Sequence, residues 1–166
     1  MTRATPERDP FQHARTVGRQ LSAWALGSMS VGVVLVALTS VGVLSGDAGQ
    51  IALGFALQSL IWGAIDGVIA WFGARDLRRR LAAGEADDAL ASAAFGRRLR
   101  RLLLLNAALD VAYVAAGVAI LMLWRTPDGL GHGLGVLVQG GFLLLFDTVH
   151  ARRCGDASPA PAGPSR

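Results

Sequence analysis

Seven residues of types that do chemistry sit in stretches otherwise built of Leu, Ala, Val and Gly: Asp66, Asn106, Asp110, Tyr113, Gln139, Asp147 and His150. In "NAALDVAY", Asn106, Asp110 and Tyr113 are spaced i, i+4 and i+7, which is one face of one helix. Asp147 and His150 are spaced i and i+3, again one face. Three chemistries suit this set. The polar groups can bond across helices to Asn, Gln, Tyr and His, or to Arg75, Arg98, Arg101 and Arg152, and so fix helix register. They can form a proton or small-solute site, because burial disfavours the charged form of a carboxylate and lets it exchange protons. Gln58, Gln139 and His132 would then be the groups leading to the far end. Or Asp147 and His150, joined by Asp66 or Asp110, can hold a metal ion that activates water against a lipid ester or amide.

The metal chemistry is short of imidazole. His150 is well placed, His132 falls near the opposite end, and His13 depends on how far the first helix extends. A bis-His haem meets the same shortage, since it needs two imidazoles at one depth on different helices. No GxSxG, P-loop or CxxC occurs, and the glycines at 129, 131, 133 and 135 lack the strand and helix context of a dinucleotide fingerprint. Cys154, the single cysteine, has neither a disulfide partner nor zinc-type spacing. The reading is of a non-enzymatic protein that implies no cofactor, with a metal-dependent intramembrane lipid hydrolase and a structural subunit of a larger membrane complex as alternatives.

The elements that position these residues follow from composition. Of 166 residues 52% are hydrophobic, and a mean hydropathy of +0.44 places the chain among integral membrane proteins. Segments 21–45, 50–73, 102–124 and 131–150 are long and apolar enough to cross ~30 Å of hydrocarbon at ~1.5 Å per residue. An isolated strand in lipid leaves backbone groups unpaired, so each segment is a helix and the fold class is all-α, a four-transmembrane-helix bundle. The first span is too long and too far from the N-terminus for a signal peptide.

All 16 basic residues are Arg, and only Arg125 falls between the third and fourth spans. The positive-inside rule then puts both termini and the loop 74–101 in the cytoplasm of a bacterial cell, with residues 1–20 as a cytoplasmic N-terminal segment. The membrane is the cytoplasmic one. Topology accounts for the pI of about 10.9, so nucleic acid is not an expected partner; the lipid bilayer is, with a homodimer or a membrane protein partner beside it. The tail 151–166, rich in Pro, Ala and Ser, is expected to be disordered. On this topology Asp66, Asp110 and Asp147 all fall in the cytoplasmic half of the bundle. They define a polar cluster of Asp66, Asn106, Asp110, Tyr113, Gln139 and Asp147 in the bundle interior.

Local signals refine the elements. Asp9 and Pro10 read as an N-cap and first-turn proline of a helix that runs on into the first span. "SGDAGQ" (45–50) and "TPDGLGHG" (126–133) read as the two outer turns, with Asp128 capping the fourth helix. The arginine-rich middle segment reads as helical, its Arg clusters near anionic headgroups. Gly63 and Gly67, then Ala108, Ala112 and Ala116, and Gly140 with Gly141, offer small surfaces for close helix approach. Trp24, Trp62, Trp71 and Trp124 read as interfacial anchors or packing groups. Gln58 to Asp66 and Gln139 to Asp147 share a spacing, and Gly27 can be laid on Asp110, as if two helical hairpins were duplicated about an axis along the membrane normal. Apolar helices also align by chance.

In "RQLSAWALGSMSVG", "LLLLNAALDVAYVAAG" and "VLVQGGFLLLFDTVHA" the chain resembles an uncharacterised bacterial four-span integral membrane family, a domain of unknown function. The resemblance rests on an "LLxNAxLDxxYxxxG" third helix (Asn106, Asp110, Tyr113, Gly117) and a "QGxFLLxFD" fourth helix (Gln139, Gly140, Phe142, Asp147). It covers roughly residues 19–151 and implies a four-span membrane protein without implying an activity.

Overall fold

The structure, a computed structural model, describes residues 9–155, so residues 1–8 of the N-terminal segment and 156–166 of the tail expected to be disordered lie outside the described residues. Four helices make up the chain: α1 (Pro10–Ser40), α2 (Gly46–Ala82), α3 (Ala89–Leu123) and α4 (Pro127–Gly155). The fold is an all-α four-helix bundle, and each helix is long and apolar enough to cross a membrane.

Helix ends follow capping chemistry more closely than hydropathy. The Asp9 carboxylate accepts from the Phe11 N–H at 2.9 Å with Pro10 in the first turn, so α1 begins well before its apolar stretch. It ends at Ser40 rather than at 45. Gly42 takes a left-handed φ of 79°, and the Gly42 and Val43 N–H groups bond the Thr39 and Leu38 carbonyls. The turn therefore precedes "SGDAGQ", most of which belongs to α2. The same motif recurs at Gly84 (φ 74°), whose N–H bonds the Leu81 carbonyl while that of Glu85 bonds Arg80. Asp88 then caps α3 by accepting from the Leu90 N–H at 2.8 Å. The arginine-rich middle is thus helix on both sides of a short turn. At the last turn the expected cap is corrected. Thr126 Oγ1 accepts from the Gly129 N–H at 3.2 Å, and Asp128 lies inside the first turn of α4, 3.6 Å from His132.

The bundle is apolar on its outside, and its interior holds polar groups among apolar ones such as Leu21, Ala70, Leu143 and Phe146. Leu26, Val33, Leu105 and Leu145 are exposed, while Ser28, Ser59, Asp66, Asp110, Gln139, Asp147 and His150 are buried. Hairpins α1–α2 and α3–α4 pack side by side, with α2 against α4 between the hairpins. Helices α1 and α3 meet at their arginine-rich ends, where Phe11 stacks on Phe95 at 4.5 Å. Glycine sets how closely α2 and α4 approach. A Cβ on Gly54 would lie 2.7 Å from the Asp128 carbonyl oxygen, and one on Gly131 would strike the Ile51 carbonyl. The glycines after Thr126 are therefore packing residues in a helix, not a loop. Ala108, Ala112 and Ala116 are all exposed, so the small-residue stripe of α3 faces outward instead of into the bundle.

Candidate functional site

Three helices each bring one carboxylate to the interior. Asp66 on α2, Asp110 on α3 and Asp147 on α4 are 2%, 4% and 5% exposed. Gly63, one turn before Asp66, brings α2 close enough to α1 that a Cβ there would lie 2.9 Å from the Ala25 carbonyl oxygen. The Asp147 side chain lies beside those of Asp110 and Asn106, and Asp66 stands near both carboxylates. One oxygen of Asp66 and one of Asp110, both Oδ2, are buried without a hydrogen-bond partner. The ion pairs among the described residues lie elsewhere: Arg80 with Asp76 at 2.8 Å and with Glu85 at 2.9 Å, and His132 with Asp128 at 3.6 Å.

The remaining cluster residues divide. Asn106 is exposed at the edge of the bundle, yet it reaches Asp147. Tyr113 is 39% exposed and sets its ring edge-on to Trp62 at 4.6 Å, so it is a packing residue at the surface. At about 100° per residue, Asn106, Asp110 and Tyr113 spread over roughly 60° of the helix circumference, enough for one edge of the stripe to be inside and the other out. Gln139 is buried but belongs to a separate network. It accepts from Trp24 Nε1 at 2.9 Å and donates to Ser28 Oγ at 3.2 Å, tying α4 to α1. Eight residues separate it from Asp147, about 12 Å along the helix.

His150 turns away from the carboxylates. Its Nε2 is 2.8 Å from Gln20 Oε1 and its ring lies 5.1 Å from that of His13. Asp147 and His150 thus have different neighbours, and among the described residues no three His, Cys, Asp or Glu converge as a metal-holding group. Toward the outer turns, Gln58 Nε2 is 2.9 Å from His132 Nδ1, and the His132 ring stacks on Trp124 at 5.4 Å. Sequence spacing offered one signal for the Gln139 network: Trp24 and Ser28 are four apart and share a face of α1.

A cavity of about 220 Å³ opens beside the cluster. Its walls come from Ala14 to Leu21 of α1, Ile69 to Leu77 of α2 and Phe95 to Asn106 of α3, with Phe146 and Asp147 of α4 as the floor. Asp76 and Arg98, nearer the arginine-rich ends of their helices, also line it.

Among known proteins, the model of a family described as "Family of unknown function (DUF6992)" matches residues 20–148, a stretch that holds all three buried carboxylates and excludes His13 and His150. No curated protein and no solved structure matches.

Proposed function

The chain belongs to this family of unknown function, and we propose that it is a multi-pass, non-enzymatic component of the bacterial cytoplasmic membrane whose Asp66–Asp110–Asp147 cluster handles protons in support of a small solute. The orientation proposed has both termini in the cytoplasm, supported by the arginines that crowd one end of the bundle and leave only Arg125 at the other. The cluster then lies in the cytoplasmic half, beside a cavity on the same side.

The observation that carries this reading is the pair of buried, unpartnered carboxyl oxygens on Asp66 and Asp110. Polar side chains that only fix register satisfy one another across helices, as Gln139 does with Trp24 and Ser28 and as Gln58 does with His132. Three carboxylates gathered without a cation, with hydrogen-bonding capacity left over, are costly as mere packing. A proton is the smallest group that relieves the charge.

Infrared difference spectroscopy of the full chain in lipid bilayers tests it. A carboxyl C=O band should appear and vanish as pH is stepped, and Asp110→Asn and Asp147→Asn should each diminish it. A spectrum without any titrating carboxyl band would sink the reading. For partners, the outward stripe Ala108, Ala112 and Ala116 favours a second copy or another membrane subunit against α3 over contact within the bundle.

A further inference from the structure

We infer that the cavity between α1, α2 and α3 binds a small amphipathic organic cation, its ammonium or guanidinium group against Asp147 and Asn106 and its apolar body against Leu21, Phe95 and Leu103. This rests on reading the carboxylates as functional groups and not as register pins, and it adds the chemical class of the solute.

Charge decides the sign of the ligand. Asp147 forms the polar floor, with Asp110 beside it and Asp66 nearby. The arginine and aspartate at the other end do not neutralise this floor. Asp76 is paired to Arg80, and Arg98 is exposed. An anion would meet the Asp147 carboxylate with two more carboxylates behind it, whereas a cation supplies a countercharge. The walls decide the rest. A hard metal ion asks for six or more oxygen ligands at about 2.0–2.6 Å. Apart from Asp147 and Asn106, the inner part of this cavity offers carbon: Val17, Leu21, Ala70, Leu103 and Phe146. A lipid tail fits the walls but would bring methylene groups against the Asp147 carboxylate and supply no countercharge, a costly burial. An organic cation satisfies both surfaces. About 220 Å³ equals the space of roughly seven waters at ~30 Å³ each, so the ligand is compact.

Two glycines permit a clean test. Gly18 and Gly73 line the cavity, and a Cβ on either would meet nothing within 4 Å. The first side-chain carbon of a leucine at either position meets open space, so leucines there add bulk at the cavity wall. The experiment is isothermal titration calorimetry of the full chain in nanodiscs of zwitterionic phosphatidylcholine. The probe is benzyltrimethylammonium, whose charge is independent of pH, and 3-phenylpropionate serves as an anion of similar size. The expected result is saturable one-to-one binding of the cation alone. Affinity should fall roughly tenfold or more in Asp147→Asn and in the double variant Gly18→Leu/Gly73→Leu. Should Asp147→Asn fail to fold, the glycine variants still decide. No saturable binding, equal binding of the anion, or affinity unchanged in the glycine variants would overturn the inference. A titrating carboxyl band without cation binding removes this site and leaves the proton reading standing. Cation binding without a titrating band does the reverse.

Discussion

Gln139 and Asp110 show how differently two buried polar residues can be used in one bundle. Gln139 spends its oxygen on Trp24 and its amide on Ser28, so its value lies in holding α4 to α1. Gln139→Leu should lower the thermal stability of the detergent-solubilised protein by about 0.6–1.7 kcal/mol, the range of inter-helix hydrogen bonds in lipid, and should leave the infrared carboxyl titration intact. Asp110 keeps one oxygen unpaired beside two other carboxyl groups. Asp110→Asn should therefore do the opposite, diminishing the titrating band while leaving unfolding temperature nearly unchanged or raised, since a neutral amide relieves repulsion in a site of low polarity. A large loss of stability with no spectral change would mark Asp110 as a packing residue.

Helix boundaries were set by single residues that hydropathy averages away. The apolar run through Val41 and Val43 reads as membrane span, yet Gly42 ends α1 by taking a left-handed conformation. Gly42→Ala should destabilise the hairpin by about 1 kcal/mol, because a Cβ is disfavoured there; thermal melts in detergent would register it. At the α2–α4 contact the demand is steric. Gly131 lies against the Ile51 carbonyl, so Gly131→Ala pushes two backbones apart and should cost on the order of 1–3 kcal/mol, more than Gly141→Ala, where the added carbon meets open space. Equal melting of the two variants would show that α2 and α4 are not held this closely.

For the whole molecule, the dominant fact is that leucine and valine cover the outside while aspartate and glutamine are buried among apolar residues such as Phe11, Leu21 and Leu103. Lipid is the solvent that makes this arrangement favourable, since it rewards apolar surface and penalises an unpaired carboxylate facing it. The proposed orientation is open to direct measurement. In a Cys154→Ser background, a cysteine at Ser45 or Thr126, beside the outer turns, should react with an impermeant maleimide added to intact cells. One at Asp87 should react only after the membrane is opened. Labelling in the reverse order would invert the bundle and place the cavity on the outer side.

Four helices, their capping at Asp9 and the concentration of arginine at one end were legible in the sequence, because each depends on local composition or on residues a few positions apart. The three aspartates were visible too, as charged residues that apolar helices rarely carry. Their neighbours were not. Whether Gln139 belonged with Asp147 or with Trp24, and whether Tyr113 faced in or out, depended on how each helix is rotated and how closely it approaches its neighbour. Glycine contacts such as Gly54 with Asp128 and Gly63 with Ala25 govern that approach across distant parts of the chain. The cavity was likewise invisible, for it is the space left where α1 and α3 close at Phe11 and Phe95. Periodicity fixes which residues share a face; only tertiary packing decides what that face meets.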